Sequence, residues 1–241
     1  MRLRLVTYNI HKGIGGVDRR YRPERTIELL ARYDADLIFL QEVDDGVPRS
    51  QRHRQVDLLG DALEMPYRAF QRNVSLKQGH YGNAILSRHL LHDVHDIDLS
   101  VPLKKPRRAL VARCLVRKEH QRSLQLVNCH LGLAGFERVI QLGRILESST
   151  LSRIHRSTPA IVGGDYNDVW GTLGKRVMEP AGYFPAGTAA PTFPAIMPVR
   201  ALDRIYYRGD IRFDNSFAAR SVIARHASDH LPLIADFDLD L

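Results

Sequence analysis

From the second residue onward basic and apolar positions alternate, Arg2-Leu3-Arg4-Leu5, and the run continues through Val6-Thr7-Tyr8-Asn9. Alternation with a period of two predicts a β-strand over Arg2 to Asn9. Pro23 to Tyr33 predicts a helix, with proline at the opening position, where its missing N–H is not needed. Asp36-Leu37-Ile38-Phe39-Leu40-Gln41-Glu42 is a short apolar run ending in polar residues, as a buried strand reads. Arg52 to Leu63 predicts an amphipathic helix with Val56, Leu59 and Leu63 on one face.

The middle of the chain is richer in strands. Tyr67 to Arg72, Asn83 to Ser87, Leu91 to Leu99, Arg108 to Val116 and Ser123 to His130 all carry β-branched or alternating apolar residues. Phe136 to Ile154 is the longest helical segment, and Pro159 to Asp165 is another buried strand, ending on a carboxylate. Pro180 to Pro198, rich in Pro, Gly and Ala, reads as a long ordered loop. Leu202 to Tyr207, Ser221 to Ala224 and Leu231 to Phe237 complete the predicted strands. Alternating strands and helices alone point to a doubly wound α/β fold, whereas the strand-heavy middle points to two sheets packed face to face. With no low-complexity linker and no short repeat, 1–241 reads as a single domain.

Composition narrows the class. The chain has 241 residues, 44% hydrophobic and 26% charged, as an ordinary globular protein does. No window approaches the roughly 20 apolar residues of a membrane-spanning helix. The opening segment lacks the apolar run of a signal peptide, so a cytoplasmic location is expected. The two cysteines, Cys114 and Cys129, lie inside apolar strand-like runs and read as reduced core thiols. A formal charge of +8 favours anionic partners: nucleic acid, acidic lipid headgroups or small phosphorylated molecules. It does not choose among them.

The chemistry lies where polar residues fall. Asn9, Glu42, His130, Asp165 with Asn167, Asp203, and Asp229 with His230 each sit at or just beyond an apolar strand. Strand ends are rigid, and a sheet can point several of them into one crevice. Carboxylates and amides with no adjacent lysine make a hard oxygen site suited to Mg2+ or Mn2+. Two histidines beside it could handle protons on attacking and leaving oxygens. Singly, an Asp or Asn after a strand is more often a turn or cap residue, so the weight rests on the set.

Thr7-Tyr8-Asn9-Ile10, Gln41-Glu42-Val43, Gly82-Asn83-Ala84-Ile85-Leu86-Ser87, Cys129-His130-Leu131, Gly163-Gly164-Asp165-Tyr166-Asn167-Asp168, Leu202-Asp203-Arg204-Ile205 and Ser228-Asp229-His230-Leu231-Pro232-Leu233 occur in this order. This set resembles the endonuclease/exonuclease/phosphatase superfamily. Asn9-Ile10-His11-Lys12-Gly13, His80-Tyr81-Gly82-Asn83 and Thr192-Phe193-Pro194 resemble its small bacterial YbhP-like branch. The resemblance implies a four-layer α/β/β/α sandwich, two mixed β-sheets packed face to face with outer helices. It also implies a metal-dependent phosphoesterase using Mg2+ or Mn2+. Glu42 would then be the primary metal ligand, assisted by Asn9 and Asp229. Asp165 and Asn167 would orient or deprotonate the attacking water, His230 with Asp203 would act on the scissile phosphate, and His130 would be the second histidine. Asn83, Arg107 and His11 are candidates for substrate contact. Arg107 and Arg108 otherwise form a solvated basic face, and Trp170 reads as a packing residue.

Three functions compete on these residues. One is hydrolysis of a phosphodiester or phosphomonoester, in a lipid headgroup or small phosphoester. Another is a DNA or RNA nuclease, disfavoured by the short chain and by Val43, where exonuclease III-like relatives carry lysine. The last is a phosphate-binding module without catalysis, which predicts a broken site position, yet every expected position is filled. A phosphoester substrate, nucleic acid or a membrane surface are the partners considered, and the chain is expected to act as a monomer.

Overall fold

The structure, a computed structural model, describes residues 1–117 and 121–239. In chain order the strands begin with β1 (Arg2–Asn9), β2 (Leu37–Asp45), β3 (Tyr67–Ser75), β4 (His80–Ser87), β5 (Leu90–Asp98) and β6 (Arg108–Arg117). They continue with β7 (Gln121–His130), β8 (Ala160–Asp165), β9 (Phe184–Pro185), β10 (Asp203–Arg208), β11 (Arg212–Ala218) and β12 (Leu233–Asp238). The α-helices are α1 (Pro23–Ala31), α2 (Gln55–Ala62), α3 (Gly135–Glu147), α4 (Ser149–Ser152) and α5 (Val222–Ala227).

The strands form two six-stranded mixed sheets, ordered β11-β12-β1-β2-β4-β3 and β5-β6-β7-β8-β10-β9. Each has one parallel pair at its centre, β1 with β2 and β7 with β8, and antiparallel neighbours outside it. A parallel pair needs a crossover, and α1 supplies it in the first sheet and α3 with α4 in the second. Leu5, Leu37, Phe39 and Ile85 of the first sheet meet Leu110, Leu126, Ile161 and Ile205 of the second in an inner core. Leu29, Leu30, Val56, Leu59 and Ala224 cover the outer face of the first sheet. Leu142, Ile145 and Leu151 cover that of the second. This is the four-layer α/β/β/α sandwich, and the doubly wound reading is set aside because strands of two separate sheets share the inner core. Both cysteines are buried and free.

Two sequence expectations change, and one strand appears that none had named. Ser221 to Ala224, expected as a strand, opens helix α5, because the Ser221 hydroxyl accepts the Ala224 N–H at 3.3 Å as a cap. Strand β11 had no clear apolar signal: it is an edge strand, largely exposed, and pairing with β12 decides it. The helix expected over Phe136 to Ile154 breaks at Ser148, whose hydroxyl turns back to the Ile145 carbonyl at 2.7 Å and competes with the helical bonds.

Candidate active site

The two parallel pairs bring their carboxyl ends to one edge of the sandwich. In the second sheet the register sets His130 opposite Asp165 and Asp165 opposite Asp203, so three site residues lie in one row across β7, β8 and β10. In the first sheet Asn9 lies opposite Gln41, one residue before Glu42. A bond from Asn9 Nδ2 to Asp165 Oδ2, 3.1 Å, ties the two sheets together at this edge.

Backbone geometry places the anions. The pairing of β2 with β4 shifts between Leu40 and Val43, and Glu42 sits in that bulge with φ 58°. A left-handed glutamate is strained by about 1–3 kcal/mol, a cost that is tolerated where the surroundings hold it for function. Gln41 faces inward in step with Leu37 and Phe39, and its amide donates to Thr7 Oγ1 at 3.1 Å and to Asn128 Oδ1 at 2.8 Å. Asn128 donates in turn to the carbonyls of Leu40 and Ala84, so a buried polar tie joins the sheets beneath the site. Just before Asp165, Gly164 has φ 141°, and a Cβ there would stand 1.9 Å from the Cys129 carbonyl oxygen. Only glycine lets β8 approach β7 at this point.

Asp165 is the centre. Its Oδ1 accepts the Asn167 backbone N–H at 2.9 Å, while Oδ2 lies 3.4 Å from His130 Nε2 and 3.8 Å from His230 Nε2. Asn167 is itself anchored by its amide to the Leu131 carbonyl, 2.9 Å away. His230 Nδ1 bonds Asp203 Oδ2 at 2.9 Å, and the same oxygen accepts the Thr192 hydroxyl at 2.6 Å. Thr192 belongs to the Pro- and Gly-rich loop before β10, and Phe193 packs its ring 5.0 Å from that of His230. The loop is therefore a clamp on the histidine as well as a rim. Thr192, Gln41 and Asn128 were not singled out from the sequence. Their only signal was that Thr192 and Gln41 fall inside the matching motifs.

Charge separates the two histidines. Burial alone would lower His230, but the carboxylates of Asp203 and Asp165 outweigh it and push the ring up to about 10. Burial pulls His130 down to about 4, helped by the charge of Arg107. Burial would raise Glu42, yet His130 and Lys12 hold it down to about 2. At neutral pH the site thus holds an anionic Glu42, a neutral His130 and a cationic His230.

The remaining candidates divide. Asn83 is buried and spends its amide on Gln71 Oε1 and the Arg108 carbonyl, each 3.2 Å, so it ties the start of β6 to the first sheet and faces protein, not solvent. His11 is half-buried, with its backbone N–H on Asn9 Oδ1 at 3.1 Å and Nδ1 2.9 Å from the Ile14 carbonyl. Arg107 is only 7% exposed, and its Nε has no partner among the described residues. It is not part of a solvated basic face. Arg108 is exposed and pairs with Asp96 at 3.4 Å. Trp170, expected to pack, is 82% exposed.

The donors suit a hard cation. Among the described residues no three His, Cys, Asp or Glu side chains form a ready cage. A single carboxylate flanked by an amide oxygen nonetheless matches Mg2+, which keeps several waters and takes one or two carboxylates. The expectation of a site without an adjacent lysine is corrected: the left-handed turn after Asn9 brings the Lys12 ammonium against Glu42 Oε2, where it stands in as the cation. Asp229, half-buried beside the Ser228 hydroxyl at 3.3 Å, offers a second carboxylate at the same edge.

The sequence signature of the Endonuclease/Exonuclease/phosphatase family matches residues 6–230. The chain belongs to that family. Its members are hydrolases of phosphoester bonds and generally use divalent metal ions. The chain is similar to the uncharacterized protein YbhP of Escherichia coli K12, 29% identical over 252 residues covering 98% of this chain and 96% of that one. Among solved structures it is similar to an endonuclease/exonuclease/phosphatase from Beutenbergia cavernae, TM-score 0.81 at 20% identity, covering 99% of this chain and 72% of that one. A mannosyl-6-phosphatase of Bacteroides thetaiotaomicron shares the fold at TM-score 0.72 and 16% identity, covering 98% and 99%. So does D. rerio TDP2 complexed with a single-strand DNA product, at TM-score 0.72 and 20% identity, covering 98% and 99%.

Proposed function

We propose that this family member is a divalent-metal-dependent phosphoesterase that hydrolyses a phosphodiester or phosphomonoester by in-line attack of water. The observation that carries this reading is the shared Asp165 oxygen, 3.1 Å from Asn9 Nδ2, 3.4 Å from His130 and 3.8 Å from His230. Glu42, with Asn9 and Asp229, would hold Mg2+ or Mn2+. Bound there, such an ion would supply charge neutralisation for the phosphate. Asp165, oriented by the Asn167 N–H, accepts the proton of the attacking water. His230, kept cationic by Asp203, donates to a phosphoryl oxygen as charge builds in the transition state. His130, neutral and 3.4 Å from the same Asp165 oxygen, assists without adding a second positive charge beside His230. Arg107, buried and with its Nε unpartnered among the described residues, receives a further substrate phosphate oxygen, since a buried guanidinium calls for an anion. His11 stands close to Asn9 and is assigned to the substrate mouth.

The test is hydrolysis of bis-p-nitrophenyl phosphate with Mg2+ or Mn2+, with plasmid and single-stranded DNA alongside. EDTA and the Glu42→Ala and His230→Ala proteins serve as controls. Metal-dependent turnover that falls at least ~100-fold in both variants is expected, the scale of a lost transition-state donor or acid. Turnover indifferent to EDTA or to both substitutions would overturn the assignment. DNA cleaved in preference to the small diester would make the enzyme a nuclease.

A further inference from the structure

The exposed apolar side chains are not spread evenly. Among the described residues the six most exposed large ones are Leu103, Trp170, Leu133, Val222, Met197 and Val199. All lie in connections at the edge that carries the site. Leu103 precedes β6, Leu133 follows β7, Trp170 follows β8, Met197 and Val199 precede β10, and Val222 precedes β12. Away from this rim the most exposed is Phe184 at 60%, and where the chain turns at the opposite edge Tyr67 and Leu90 reach only 37%. Apolar surface left in water around a polar cleft marks an interaction site.

Cations are interleaved with these side chains. Lys104 and Lys105 follow Leu103, Arg200 follows Val199, and Arg220 and Arg225 bracket Val222, all exposed. Lys104 Nζ lies 5.3 Å over the ring of Phe136, three residues beyond Leu133. The acid nearest this edge in the first connection, Asp18, is neutralised by Arg25 at 2.6 Å. The rim is therefore apolar and basic together.

We infer that this rim is a docking surface for an anionic lipid bilayer, which seats the site on the headgroup layer. Leucine, valine and methionine cannot stack on bases as aromatic platforms do, but they enter the boundary between headgroups and acyl chains. Tryptophan favours the same interface, and lysine and arginine meet the anionic headgroups. The apolar groups sit on separate loops around the site, so no single amphipathic segment announces them in the sequence. The inference rests on the phosphoesterase reading for what docking delivers, a lipid phosphoester, while docking itself needs no turnover.

Trp170 is the only tryptophan in the chain, so its fluorescence reports this rim alone. The experiment mixes Glu42→Ala protein with vesicles of phosphatidylcholine and phosphatidylglycerol at about 3:1, a charge density that attracts basic surfaces. Cosedimentation and a shift of Trp170 emission to shorter wavelength are expected, with binding weaker by at least ~10-fold on phosphatidylcholine alone. The Leu133→Glu, Met197→Glu, Val222→Glu triple variant, built in a chain with Glu42 intact, should lose at least ~10-fold in vesicle binding while its turnover of bis-p-nitrophenyl phosphate is unchanged. Absence of cosedimentation, cosedimentation with unmoved emission, or a triple variant that binds as the parent does would overturn the inference. Single-stranded DNA that quenches Trp170 where vesicles do not would also overturn it, in favour of a nucleic-acid surface. A parent protein that turns over the soluble diester and ignores vesicles loses the docking inference alone. One that binds vesicles and hydrolyses nothing loses the phosphoesterase reading alone.

Discussion

His130, at the end of β7, and His230, in the segment before β12, face one oxygen of Asp165, yet their partners set them in opposite charge states. His230 gains a proton from its contact with Asp203, whereas His130 loses one to burial and to Arg107. Environments that drive two titratable groups apart assign their roles at neutral pH. Asp203→Asn should therefore let His230 fall back toward the ordinary imidazole range and lower kcat by ~100-fold, read by ring NMR titration alongside turnover. The folded protein holds the His230 proton more tightly than the unfolded chain. That contribution to stability is complete below the unfolded value of about 6.5 and disappears as pH rises toward about 10. In metal-free protein Tm should decline across this window, and less steeply in Asp203→Asn, as calorimetry would show. At this scale the sequence marked out acids and histidines that the fold brings to one edge. It offered Arg107 as a substrate contact but could not read its burial, nor the contact of Lys12 with Glu42, because neither is encoded in spacing.

Secondary-structure elements succeed or fail by how strongly their own residues specify them. Strand β8 is apolar up to its terminal carboxylate, and β1 and β7 carry alternating apolar residues up to a polar last residue, so their existence and their carboxyl ends were legible. Strand β11 carries Arg212, Asp214 and Asn215 on an exposed edge and depends on β12 for its hydrogen bonds. Residues 221–224 are a short apolar run that either period fits, and the cap decides the outcome. Ser221→Ala should destabilise the protein by about 1 kcal/mol in urea titration while leaving the strands intact. It should also slightly disturb the segment leading to Asp229, because α5 ends immediately before Ser228.

The whole molecule is two sheets that must keep a fixed offset, since Asn9 belongs to one and Asp165 to the other. The Thr7–Gln41–Asn128 tie lies between them in the buried core. Gln41→Leu removes a donor and leaves the Asn128 oxygen buried without it, which should cost about 1–3 kcal/mol. Turnover should fall as well, because the bulge that presents Glu42 begins at this residue; urea melts and kinetics would separate the two effects. Metal binding offers a second global readout. Mg2+ or Mn2+ bound only by the folded protein raises Tm with concentration. That rise should vanish in Glu42→Ala, whereas a rise of equal size in the variant would place the ion elsewhere.

By itself the sequence determined the strands with an apolar or alternating pattern, the polar residues at their ends and the family those residues mark. These are properties of short segments, in which the side-chain period and the turn residues are written locally. Tertiary structure alone decided the register that sets His130, Asp165 and Asp203 in one row and the cross-sheet bond from Asn9 to Asp165. It also decided the charge states of the two histidines and the gathering of exposed apolar groups around the site. Each of these depends on distances between residues far apart in the chain, and electrostatics and burial act through space and not along the sequence.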